Sequence, residues 1–168
     1  MPDLTPGKGA DVTVTSNIRE VMARLKEFDP ALARETRKRL RRSGDEAIAK
    51  MRGILAEPPP GGGGGVSRGS REQAASALAV RVMTGKRQQG VRITGSREAF
   101  AKAYNKRSWR HPVYGNRDVW ADQEGRPYFG SVVAQEAPAM REEITEALQD
   151  ALDVVASHAR VFGSGGGT

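Results

Sequence analysis

Residues 58–70 read PPPGGGGGVSRGS, and no regular element can pass through them. Three consecutive prolines withhold their backbone donors and clash with a preceding helical turn, and five glycines lose more entropy on ordering than almost any other sequence. Any helix arriving at Glu57 must stop there, and the chain must start afresh beyond Ser70. A flexible loop over 58–70 is the expectation. The glycine run has the look of a phosphate-cradling loop, but the Gly-Lys-Ser/Thr ending that such a loop requires is missing.

On the N-terminal side of this break the pattern is helical. Residues 1–16 are polar and proline-bearing and read as a flexible arm. Asn17 and Glu20 then stand at capping-box spacing, and Ile18, Val21, Met22, Leu25 and Phe28 recur at helical intervals. Asp29-Pro30 restarts the helix, with the acid as cap and the proline in the first turn. Leu32, Leu40, Ala47, Ile48, Met51 and Leu55 extend one stripe to about Glu57, and Gly44 offers a place to bend.

Beyond the break, Leu78, Val80 and Val82 alternate, Val91 and Ile93 alternate to match, and TGKRQQG lies between them, so the spacing predicts a β-hairpin. SREAFAKAY predicts a short helix capped by Ser96. An aromatic segment follows, read as loop with short strands near 112–113 and 118–121. A long helix closes the chain, opened or kinked at Pro138, with Met140, Ile144, Leu148, Ala151, Leu152, Val155 and Val161 on one stripe and mostly acids opposite. Residues 163–168, GSGGGT, read as a disordered tail once Gly163 is included. The expectation is one α+β domain over 17–162: a long N-terminal helical segment, a hairpin with short extra strands, and a long C-terminal helix.

The core of such a domain is lean, since 38% of the residues are hydrophobic and 28% charged. Charge is unevenly placed. Residues 19–52 hold eleven Lys/Arg against six Asp/Glu and 65–127 thirteen against five, whereas 131–168 hold two against six. A chain polarised in this way suits binding to nucleic acid or contact between oppositely charged faces of neighbouring subunits. There is no cysteine, no apolar run of membrane-spanning length and no apolar segment behind the N-terminal MPDLTPGKG, which fits a soluble protein made in a reducing cytoplasm.

Catalysis finds no foothold in this pattern. His111 and His158 stand far apart without ligand-spaced partners, and no nucleophile has a base and an orienting group beside it, so neither an enzyme, a cofactor nor a metal is expected. Two clusters remain. Arg37, Lys38, Arg39, Arg41 and Arg42 form the densest basic run, readable as a phosphate-binding face or, preferred here, as a solvated helix surface that pairs with acids. The second cluster holds five of the nine aromatic residues, Trp109, Tyr114, Trp120, Tyr128 and Phe129, interleaved with Arg107, Arg110, Arg117 and Arg126. These rings either pin a long loop to a thin core or form a subunit or partner interface, where Trp, Tyr and Arg dominate the energetics; a base-stacking platform is the nucleic-acid version.

The stretch WRHPVYGNRDVWADQEGRPYF, followed by a long amphipathic helix, resembles a family of small tail-component proteins of long-tailed bacteriophages. The likeness is strongest at His111-Pro112-Val113-Tyr114-Gly115-Asn116 and Gly125-Arg126-Pro127-Tyr128-Phe129, and it extends from about Asn17 to Val161. It implies a virion structural protein at the head–tail junction, a tail-completion or neck protein made in the host cytoplasm. It further implies a homo-oligomeric ring, commonly a hexamer, touching neck and tail-tube proteins around a channel for DNA, with no membrane partner. The compact loop expected of such proteins is replaced here by PPPGGGGG.

Overall fold

The computed structural model describes residues 10–12, 18–58, 68–113 and 115–163. Within these the fold is α+β. Strand β1 (Ala10–Val12) is followed by α1 (Ile18–Phe28), α2 (Pro30–Arg42) and α3 (Asp45–Ala56). Next come α4 (Arg68–Ser76), β2 (Ala79–Thr84), β3 (Gln89–Thr94) and α5 (Ala99–Tyr104). The chain ends with β4 (Ser108–Val113), β5 (Asn116–Glu124) and α6 (Gly130–Gly163). One sheet has the order β1-β3-β2, and β4 and β5 form a second, two-stranded antiparallel sheet. The chain gathers into two compact units, each drawn from separate segments.

One unit contains Asp11–Gly44, Val80–Arg92 and the chain from Ala137 onward. In α1 the stripe turns Ile18, Met22 and Leu25 inward, but Phe28 at its end is exposed and meets the His158 ring edge-on at 5.6 Å. Asp29 caps α2, its carboxylate accepting from the Ala31 N–H at 2.7 Å with Pro30 in the first turn. The continuous helix expected to run to Glu57 is broken into α2 and α3. Ser43 ends α2, its hydroxyl donating to the Leu40 carbonyl, and Val80 lies so close to Gly44 that a Cβ there would stand 2.7 Å from the valine Cγ2. A glycine inside a helix is a weak point, and here the valine packs onto it. From α6 this unit buries Met140, Ile144, Ala147, Leu148 and Ala151, while Leu152, expected on the same stripe, is exposed.

The other unit contains Asp45–Ala79 and Ile93–Glu136. Ala47, Ile48, Met51 and Leu55 of α3 are buried, as are Ala101 and Tyr104 of α5. Arg71 of α4 closes the end of α3: its Nη1 donates to the carbonyls of Leu55, Ala56 and Glu57 at 2.8–2.9 Å, which satisfies acceptors that a helix C-terminus leaves open. Helix α4 corrects the expected loop over 58–70, because its first turn takes in residues 68–70; Pro58 has no regular structure, and 59–67 lie outside the described residues. Its signal is faint, since RGSREQAAS buries only Ala74. Strand β1 similarly takes three residues from the segment expected to be an arm, whose other residues lie outside the description, as do 164–168 of the tail. Ser96, expected to cap α5, stands three positions before it and accepts from the Glu98 N–H; the cap position itself is held by Glu98, whose side chain makes no capping bond. Pro138 sits inside α6 rather than opening it.

Candidate interaction surface

The aromatic segment is a hairpin rather than a loop with brief strands. Ser108 pairs with Glu124, Arg110 with Asp122 and Pro112 with Trp120, and the register slips between Pro112 and Val113. Successive side chains of a strand point to opposite faces, so this pairing sorts the segment. Trp109, His111, Ala121 and Gln123 share the half-buried face, where the Trp109 and His111 rings lie 5.0 Å apart and Trp109 Nε1 is buried with no partner among the described residues. Arg110, Trp120 and Asp122 share the exposed face.

Residues 116–120 are all exposed, and Val119 and Trp120 keep 51% and 47% of their surface in solvent. The polar edge of the Trp120 indole is already satisfied, with Nε1 donating to the Arg117 carbonyl at 2.7 Å. The Arg110 guanidinium stands 6.0 Å from its ring centroid and pairs with Asp122 across the strands at 3.2 Å. What the indole leaves to solvent is therefore apolar surface with the Arg110 guanidinium beside it, which is the composition of an interface anchor. An isolated two-stranded hairpin is marginal in water, so this one depends on its half-buried face and on its base.

That base is fastened at Gly125. The Gly125 N–H donates to the Arg107 carbonyl at 2.9 Å and the Arg126 N–H to the Tyr104 carbonyl at 2.7 Å. The approach is so close that a Cβ on Gly125 would lie 2.2 Å from the Lys106 oxygen. Beyond this clasp the chain turns inward. Tyr128 and Phe129, grouped above with the interface rings, are fully buried and are corrected to core: their rings meet edge-to-face at 6.4 Å, and Tyr128 lies 6.5 Å from Tyr104. Arg126 is half-buried, and its guanidinium is engaged with Glu57 inside the same unit. Asn105 completes the turn by accepting from the Phe129 N–H at 2.8 Å.

Burial acts on both phenols. It pushes Tyr128 up to about 12, and it raises Tyr104 against the lowering influence of the Arg126 and Arg71 cations. Neither hydroxyl has a partner among the described residues. Lys50 is raised by its bonds to Glu136 at 2.8 Å and Glu46 at 3.1 Å, and this ties the buried Glu136 carboxylate at the start of α6 to α3.

Of the expected interface set, Arg110, Arg117 and Trp120 stand together on the exposed end of the hairpin, Trp109 anchors its half-buried face, and Tyr114 lies outside the described residues. Val119 was missed, because NRDVWADQE carries polar residues on both faces of a strand and so no alternation marks its inner side. In the basic cluster Arg37, Lys38, Arg41 and Arg42 are exposed and unpaired among the described residues. Arg39 differs, for it bonds Asp150 of α6 at 2.7 Å. Basic α2 and acidic α6 thus meet in one ion pair among the described residues. Among the described residues there is no group of three metal-ligating side chains and no helix long and apolar enough to cross a membrane.

Compared with protein-family models, with curated proteins and with solved structures, the chain finds no match in any of the three.

Proposed function

We propose that this chain is a non-catalytic assembly protein of a long-tailed phage virion, a tail-completion or neck protein that joins the tail tube to the head connector as a ring, with six copies favoured. The observation that carries an assembly role is the exposed end of the β4–β5 hairpin. There an indole with its N–H already bonded and a neighbouring valine face solvent among Arg110 and Arg117. The head–tail location comes from the resemblance of residues 109–129 and the helix after them.

A second reading has its own observation. Arg37, Lys38, Arg41 and Arg42 of α2, exposed and unpaired among the described residues, suit phosphate contacts, as in a nucleic-acid-binding protein or a ring lining a DNA channel. A salt titration with generic duplex DNA separates the two, because phosphate binding weakens steeply with salt and the assembly reading expects little binding to free duplex.

The assembly role is tested in particles. Cryo-electron microscopy of intact virions should find this chain in the neck density, and preparations carrying Trp120→Ala should contain unjoined heads and tails. Virions that lack the chain, or Trp120→Ala particles joined as completely as the parent, would refute it.

A further inference from the structure

The α1–α2 pair carries a groove of about 250 Å³ that no function so far uses. Its floor is apolar, formed by Met22, Pro30 and Ala33, and its rim is cationic, formed by Lys26, Arg34 and Arg37. No carboxylate lines it, and the three rim cations have no ion-pair partner among the described residues. A groove built only for phosphate has no need of an apolar floor. Apolar floor and basic rim together fit an amphipathic helix with an acidic edge.

The same chain supplies such an edge. On α6, Glu142, Glu146, Gln149 and Asp153 follow one another at intervals of four, three and four residues and so form a single stripe. Glu142 and Glu146 have no partner among the described residues, and Leu152, bordering the stripe, is exposed. The chemistry of the match already exists once in the molecule, in the Arg39–Asp150 bond between α2 and α6.

We infer that the α1–α2 groove receives the acidic stripe of α6 from a second copy of this chain, with Leu152 over the apolar floor and Glu142 and Glu146 against the arginine rim. This deepens the assembly reading, on which it rests, by naming two patches that meet between subunits. Contacts between unlike patches are the kind that build rings when the rotation closes.

The test is sedimentation of the full chain at low and high salt. The wild type should self-associate at low salt and dissociate as salt screens the rim. Arg34→Glu/Arg37→Glu and Glu142→Lys/Glu146→Lys should each weaken association at least tenfold while keeping the wild-type circular dichroism. Their equimolar mixture should recover it, because each variant's altered face then meets a complementary one. A wild type that stays monomeric at low salt overturns the inference, as does association untouched by either variant or a mixture that does not recover. Duplex DNA binding lost with Arg34→Glu/Arg37→Glu, with self-association unchanged, would assign the groove to nucleic acid instead. The two readings fail separately: a monomeric chain found in the virion neck removes this pairing alone, whereas absence from the virion removes the assembly role.

Discussion

Replacing Gly125 by alanine places a methyl group 2.2 Å from the Lys106 oxygen and 2.7 Å from the Tyr104 oxygen, both backbone atoms that no side-chain rotation can move. The strand end must therefore retreat, and the two hydrogen bonds of the clasp, Gly125 to Arg107 and Arg126 to Tyr104, stretch or break. Two such bonds contribute about 1 kcal/mol each. Overpacking strain adds roughly 1–3 kcal/mol more, so the loss should be about 3–5 kcal/mol, a large share of the ~5–15 kcal/mol that holds an ordinary domain. The cost falls where the hairpin joins the unit and where Tyr128 and Phe129 enter its core, so both elements loosen together. Gly53→Ala is the matched control. Gly53 lies inside α3 with nothing within 4 Å of the added carbon, and the same substitution there should stabilise by about 0.5–1 kcal/mol. Urea unfolding followed by tryptophan fluorescence and far-ultraviolet circular dichroism reads both. A Gly125→Ala midpoint within about 0.5 kcal/mol of wild type would refute the clasp.

The remaining expectations divide anchors from contacts. Trp120→Ala should leave urea stability within about 0.5 kcal/mol of wild type, whereas Trp109→Ala, on the half-buried face, should cost on the order of 3 kcal/mol; equal losses would erase the distinction. Burial raises the folded Tyr128 phenol to about 12 against about 10 unfolded, so its contribution is complete below pH 10 and is lost as pH climbs from 10 to 12. Two pH units correspond to roughly 3 kcal/mol of alkaline destabilisation. Tyr128→Phe should flatten that limb in a stability-versus-pH series, and it should not lower stability at neutral pH, because the hydroxyl it removes has no partner among the described residues. Asp29→Ala removes the α2 cap and should cost about 1 kcal/mol by thermal unfolding.

What the sequence determined is what short-range physics decides. The Asp29-Pro30 restart, the weak point at Gly44, the β2–β3 hairpin and the stripe of α6 each rest on capping, backbone freedom or periodicity over a few neighbouring residues. The concentration of aromatic residues and arginines in one segment was legible from composition alone, though not which of its rings face solvent.

Tertiary structure decided the rest. Helix α4 is held by the Arg71 bonds to the end of α3, which no pattern within RGSREQAAS announces. The hairpin of β4 and β5 escaped notice because both strands carry polar residues on each face, so no alternation marks an inner side. Five aromatic residues in one segment looked alike as sequence, yet Trp120 ended in solvent and Tyr128 and Phe129 in the core. The β4–β5 register and the Gly125 clasp made that assignment, since pairing fixes which way each strand residue points and the clasp turns the chain inward after Glu124. Those contacts join residues that lie beyond any local window, and the choice between anchor and contact surface is made by them.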